Sequence, residues 1–122
     1  QGTLGSAMTQ SSGVFTFPST GIWYVAMLLY TYDGADYSYV YSEIDVTTNN
    51  SSYTEVAQSV ANGVTAASQR ETSSVVSTLI DVTNTTNVKV KFGLSAATTG
   101  VNVWGDTARN GTNMMFIRLG DT

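Results

Sequence analysis

The chain has 122 residues, enough for one domain with a core of its own, and carries a formal charge of -4 with a pI near 4.3. That acidic balance excludes the basic footprint of a nucleic-acid binder, and the absence of cysteine and histidine removes disulfides, thiolate metal sites and the usual general base. Charged residues make up 11%, against roughly 25% in ordinary soluble domains, so the polar surface is left to Ser, Thr and Asn.

Residues 1–12, QGTLGSAMTQSS, are small and polar and read either as an ordered edge segment or as a lead-in from a longer chain. The first residue is Gln and no signal-peptide pattern follows, so the sequence reads as a C-terminal domain cut from a larger protein. Residues 13–122 form the domain. A short strand at Val14–Phe17 is followed by a turn at Pro18–Gly21 and a longer strand over Ile22–Tyr32. Strand side chains alternate between faces. Here Ile22, Tyr24, Ala26, Leu28, Tyr30 and Tyr32 point one way, and Trp23, Val25, Met27, Leu29 and Thr31 the other. Both sets are apolar or aromatic, which predicts a strand covered on both faces. The chain offers no amphipathic helix as the second cover, so another copy of the same protein is expected there.

A turn at Asp33–Asp36 precedes a strand over Tyr37–Thr47, with Tyr37, Tyr39, Tyr41, Glu43 and Asp45 on one face. Thr48–Ser52 reads as a loop. Tyr53–Thr65 has alanines that suit a helix, but its β-branched residues and Asn62-Gly63 favour extended structure. Glu71–Val82 is a strand, Thr83–Asn87 a turn, and Val88–Phe92 a half-buried strand by its strict alternation. After a loop at Ala96–Gly100, Val101, Val103 and Trp104 form a short strand. The loop Thr107–Gly111 then leads into a last strand over Thr112–Leu119, again apolar on both faces: Met114 and Phe116 one way, Met115, Ile117 and Leu119 the other. Short strands at spacings of roughly 8 to 12 residues predict an all-β antiparallel sandwich or jelly roll. The longest apolar run, Ile22–Tyr30, falls short of a membrane-spanning helix, so no membrane insertion is expected.

Few residues suggest chemistry. Glu43 and Asp45 share a strand face, as a glycosidase carboxylate pair could, but nothing fixes a substrate between them, and a solvated strand end is the plainer reading. Asp33 and Asp36 offer oxygen ligands without the acidic ladder of a calcium loop. Without histidine no Ser-His-Asp arrangement can be built. Catalysis, a cofactor and a bound metal are therefore not expected. Lys89 and Lys91 read as a solvated face. Tyr37, Tyr39 and Tyr41 suit either a packing edge or a sugar platform, with packing favoured. Sequons at Asn49, Asn50, Asn84 and Asn110 arise readily in so Asn/Ser/Thr-rich a chain, and Asn110-Gly111 marks a tight turn.

The stretch GVFTFPSTGIWYV and the closing MMFIRLGDT at Met114–Thr122 resemble the tumour necrosis factor and complement globular-head superfamily. The nearest likeness is to C-terminal jelly-roll domains of marine and cyanobacterial virus structural proteins. The resemblance spans residues 13–122, is strongest at both ends, and departs from the animal family in lacking cysteine. It implies a homotrimer of jelly rolls, each of two roughly five-stranded sheets, with the first long strand and the last strand facing the three-fold axis. On that basis Phe15, Phe17, Tyr24, Leu28, Met114 and Phe116 are expected at the trimer interface. Thr107–Gly111 is expected at the end far from the termini, together with Thr48–Ser52 and Thr83–Thr86. Asn49, Asn50, Asn84, Thr107, Arg109 and Asn110 would then lie in receptor-binding loops. The implied protein is a non-enzymatic module at the tip of a phage fibre or on a capsid decoration. It would sit on the virion surface, with an upstream fibre or capsid protein and a host glycan or protein as partners. The alternatives are a secreted signalling ligand of the animal family and a carbohydrate-binding module of a larger enzyme.

Overall fold

The structure, a computed structural model, describes residues 2–33, 38–63, 70–96 and 100–122, with the side chains of Asp33 and Arg70 left out. Among them the chain forms β1 (Thr9–Ser11), β2 (Val14–Thr16), β3 (Gly21–Asp33), β4 (Tyr39–Thr47), β5 (Thr54–Asn62), β6 (Arg70–Val82), β7 (Lys89–Ala96), β8 (Asn102–Val103) and β9 (Asn113–Gly120). All strand pairs are antiparallel, in a five-stranded sheet ordered β1-β2-β7-β4-β5 and a four-stranded sheet. In the second sheet β3 lies between β6 and two strands on its other side, β9 along Ile22–Leu28 and β8 at Thr31 and Tyr32. The all-β sandwich expected from sequence is therefore present, with one strand fewer in the second sheet. Residues 54–62 are extended, and the helix their alanines suggested does not form. Residues 34–36 of the expected Asp33–Asp36 turn, Tyr37, the run Val64–Ala67 and most of the 96–100 loop lie outside the described residues.

Residues 9–11 belong to the first sheet as its edge strand. The hairpin from β1 to β2 closes through Ser12 and Gly13, with φ of 49° and 80°. Two successive positive φ values fit the right-handed twist of the flanking strands, and a small residue followed by glycine tolerates them. At the other turn, Gly21 has φ of 132°, and a Cβ there would overlap the Gly120 carbonyl oxygen, so the register between β3 and the end of β9 requires glycine. The β3–β6 pairing runs unbroken from Gly21↔Val82 to Asp33↔Arg70. It is the longest ladder in the molecule and sets its long axis.

The core lies between the sheets. Trp23, Val25, Met27 and Leu29 of β3 and Val76, Ile80 and Val82 of β6 meet Val40 and Ile44 of β4 and Val88 and Val90 at β7. Along one side an aromatic cluster joins the layers. The Phe116 ring lies 5.3 Å from Phe15, 5.8 Å from Phe92 and 6.3 Å from Phe17, whose ring is 5.3 Å from Trp23. Toward the opposite side the layers are linked by a buried hydrogen bond of 2.8 Å between the Ser42 and Ser74 hydroxyls. Each hydroxyl there satisfies the other, so neither is buried without a partner.

The strand directions sort the loops into two ends. Val82, Gly21, Gly120, Lys89 and Thr47 share one end, since Gly21 pairs with Val82, Ile22 with Gly120 and Thr47 with Lys89. Asp33, Arg70, Asn62, Tyr39 and the start of β9 share the other, where Thr72 Oγ1 donates to the Asn62 carbonyl.

Candidate functional site

The two sheets differ in what they show to solvent. On the five-stranded sheet the outward residues of β4, β5 and β7 include Glu43, Asp45, Gln58, Lys89 and Lys91. Gln58 Nε2 donates to Glu43 Oε1 and Glu55 Oε2 at 3.5 and 3.4 Å, and the Lys91 ammonium sits 3.6 Å from the centre of the Tyr53 ring. Tyr39 and Tyr41 pack on this face with ring centres 4.9 Å apart and ring planes tilted by 52°. This face mixes charged and polar side chains with exposed Tyr39 and Val60, and Glu43 and Asp45 lie on it as a solvated strand would place them.

The outer face of the β6–β3–β9 sheet is different. Because Trp23, Val25, Met27 and Leu29 point into the core, Ile22, Tyr24, Ala26, Leu28 and Tyr30 point out. The registers place Leu79 beside Tyr24, Val75 beside Leu28, Ile117 beside Tyr24 and Met115 beside Ala26. Leu79 is 62% exposed, Val75 58%, Ile117 45% and Met115 47%, and no other described element covers them. Among the described residues of these strands, the charges on this face are Glu71 and Asp81 at the two ends of β6. The exposed patch spans about seven residues of β3 and three strands, a footprint of roughly 24 by 14 Å from strand rise and spacing. A contiguous apolar patch of a few hundred Å² is comparable to the largest patch on a typical monomer, and such patches are often functional.

Of the six residues expected at an interface, only Tyr24 and Leu28 lie on that face. Phe15, Phe17 and Phe116 point inward and pack on one another, and Phe17 is 2% exposed in the chain alone. Met114 also lies on the inner side of β9, opposite Met27, near the open sandwich edge that residues 2–8 approach. The correction is one of parity. β9 pairs with β3 so that Phe116 falls beside Val25, a core residue, and its outward set is Met115 and Ile117.

The six loop residues also separate. Asn49, Asn50 and Asn84 lie at the Gly21 end, where the Asn50 amide donates to the Asn87 carbonyl at 3.1 Å. Thr107, Arg109 and Asn110 lie at the opposite end, in the loop between β8 and β9. The expected grouping of these three loops at one end is therefore overturned. Asn49 and Asn84 are also occupied structurally. Asn49 Oδ1 accepts from the amides of Ser51 and Ser52 at 3.0 Å each, and Asn84 Oδ1 accepts from those of Thr86 and Asn87 at 2.8 and 3.2 Å. These side chains shape their own turns, the usual work of Asn in such positions.

The 104–112 loop builds something more specific. Trp104 N–H donates to the Tyr30 carbonyl at 2.9 Å, Thr112 N–H donates to the Trp104 carbonyl at 3.2 Å, and the Thr112 hydroxyl accepts from Tyr30 N–H at 3.1 Å. The Trp104 ring lies over Gly111, where a Cβ would overlap its Cε3 and Cζ3 atoms, and meets the Tyr30 ring edge-to-face at 5.3 Å and 82°. Asp106 Oδ1 accepts from Ala108 N–H at 2.7 Å, and its Oδ2 pairs with Arg109 Nε at 2.9 Å. The Arg109 guanidinium is 5.7 Å from the Trp104 ring centre. Tyr30, Trp104, Arg109 and Gly111, together with Leu28, Glu71, Ser73 and Asn110, line an open cleft of about 520 Å³ at the rim of the apolar face. A hydrogen bond to the Glu71 carboxylate, helped by partial desolvation and the carboxylate's charge, raises the Tyr30 phenol above its ordinary pKa.

Compared with known proteins, the chain matches no family model and no curated sequence.

Sequence reading had singled out Arg109 and Asn110 of this cleft but not Trp104, Tyr30, Glu71 or Ser73. Trp104 followed two valines and read as the end of a strand, and Glu71 and Ser73 come from a strand distant in sequence. Only the β3–β6 register, which sets Tyr30 opposite Ser73 and Tyr32 opposite Glu71, brings them together.

Proposed function

We propose that the chain is a non-enzymatic structural and recognition module, a jelly-roll head that assembles as a homotrimer on a virion surface and presents its loops for host attachment. The observation that carries this reading is the outer face of the β6–β3–β9 sheet. Val75, Leu79, Met115 and Ile117 surround Tyr24 and Leu28 there, while the outer face of the other sheet mixes exposed apolar residues such as Val60 with Glu43, Gln58, Lys89 and Lys91. Burying such a face against copies of itself removes apolar surface from water at roughly 25 cal/mol per Å². A closed cyclic assembly leaves no further copy of the patch exposed. The virion setting is supported by the resemblance of the segments at residues 13–25 and 114–122 to virus structural proteins.

Light scattering with multi-angle detection at micromolar concentration is the test. A trimer gives three times the 13.0 kDa chain mass. Ile117→Asp and Leu79→Asp each place a charge in the seam and reduce the species to monomer, while Val60→Asp, on the outer face of the other sheet, leaves the mass unchanged. A clean monomer for the unaltered chain refutes the trimer and favours a carbohydrate-binding module, which needs no self-association.

A further inference from the structure

We propose that the cleft between Tyr30, Trp104, Glu71 and Ser73 is a binding subsite for an uncharged saccharide, one pyranose ring seated against the Trp104 and Tyr30 rings. The assignment deepens the attachment reading and rests on it for the ligand's source, a host-surface glycan.

The shape of the site comes first. At about 520 Å³ the cleft falls in the range of small-molecule pockets, and it opens to solvent on one side, as a site for the end of a larger glycan must. Its two aromatic walls stand nearly perpendicular, at 82°, so a ring laid on one wall has its edge bounded by the other. A pyranose has an apolar C–H face for such a wall and a hydroxyl rim that both donates and accepts. The groups around the cleft match that rim: the Glu71 carboxylate accepts, the Arg109 guanidinium donates, and the Ser73 hydroxyl and Asn110 amide do both. Leu28 supplies the remaining apolar surface.

Charge selects among ligands of this size. Glu71 and Asp106 carry two negative charges near the cleft and Arg109 one positive charge, already paired with Asp106 at 2.9 Å. The balance is unfavourable for a carboxylated or phosphorylated ligand. A quaternary ammonium would have to compete with the Arg109 guanidinium, which lies over the same Trp104 ring. A neutral polyhydroxylated ring carries no charge to be opposed, and where it shares the Trp104 ring with Arg109 the guanidinium can donate to its hydroxyls.

The walls are also pre-ordered. Trp104 is pinned through both its backbone N–H and its carbonyl, its ring rests on Gly111, and Asp106 ties Ala108 and Arg109 into the loop. Little ordering entropy then remains to be lost when a ligand arrives. Three such sites in one trimer would bind a multivalent glycan far more tightly than one.

The test uses the full chain, isotope-labelled for NMR, with methyl α-glucopyranoside, methyl β-galactopyranoside, methyl α-mannopyranoside and N-acetylglucosamine as probes. A ligand of about twelve heavy atoms at ordinary ligand efficiency binds in the low millimolar range, so titration to roughly 50 mM saturates a real site. The expected result is that at least one probe shifts the Trp104 indole N–H and the 104–112 amides, with affinity reduced about tenfold by Trp104→Ala. Glu71→Gln, which leaves the loop untouched, weakens binding as well and keeps the test decisive if Trp104→Ala folds poorly. No shift from any probe overturns the assignment, as does an affinity unchanged in Glu71→Gln, or tighter binding of N-acetylneuraminate or choline. Light scattering on the same samples keeps the two readings apart. A trimer without saccharide shifts sinks this inference alone, and a monomer that binds saccharide sinks the assembly alone.

Discussion

Gly111→Ala tests the architecture of the 104–112 loop. Gly111 does not have a positive φ, so alanine suits its backbone; the obstacle is the Trp104 ring, whose Cε3 and Cζ3 atoms a new Cβ would overlap. The ring must leave its seat, giving up the edge-to-face contact with Tyr30, worth about 0.5–1.5 kcal/mol, on top of an overpacking cost of about 1–3 kcal/mol. A total of about 3 kcal/mol is expected. For 122 residues the unfolding entropy is about 0.26 kcal/mol/K, so the midpoint should fall by about 12 °C. Thermal unfolding followed by circular dichroism at fixed protein concentration reads this, since oligomerisation makes the midpoint concentration-dependent. The diagnostic arm is the double mutant. In a Trp104→Ala background the obstacle is gone, and Gly111→Ala should be neutral or stabilise by about 0.4–1 kcal/mol through the unfolded chain's lost freedom. The same loss in both backgrounds would refute the reasoning and place the strain in the backbone.

Two further predictions concern polar groups. Ser42→Ala strands the Ser74 hydroxyl between the sheets and should cost about 1–3 kcal/mol, whereas Ser42→Ala with Ser74→Ala should cost far less. Chemical denaturation of the three variants checks this, and additive losses would show that the hydroxyls do not depend on each other. The Tyr30 phenol should titrate above the ordinary phenol range, and Glu71→Gln should bring it down, as read from the carbon shift of its ring in an NMR pH series. The folded state holds that proton more tightly than the unfolded chain does. The group's stabilisation is therefore complete below the ordinary phenol value and is lost as pH rises through the raised one.

The strands themselves were legible. The extended reading of Ile22–Tyr32 lies within β3, that of Thr112–Leu119 differs from β9 by one residue at each end, and the alternation at Val88–Phe92 falls on β7. The β1–β2 hairpin was missed because Ser12-Gly13 gives a weaker turn signal than Asn-Gly, and the three exposed residues of β1 have little apolar pattern. Which face of β9 meets the core was not legible for a different reason. Its two faces, Met114 and Phe116 against Met115 and Ile117, are equally apolar, and a period of two says nothing about which one meets the core.

The sequence by itself determined what each segment could be: strands from alternation, turns from Asn, Gly and Pro, and no nucleophile–histidine chemistry. It also marked β3 and β9 as carrying more apolar surface than a two-layer sandwich can hide. Only the tertiary structure decided which residues of β9 look outward, because a one-residue change of register exchanges the faces of a whole strand. Tertiary pairing alone set the Thr107–Gly111 loop opposite the Asn49 and Asn84 turns, and brought Glu71 and Ser73 to Tyr30 and Trp104. Those relations depend on ladders between segments far apart in the chain, and local patterns carry no information about them.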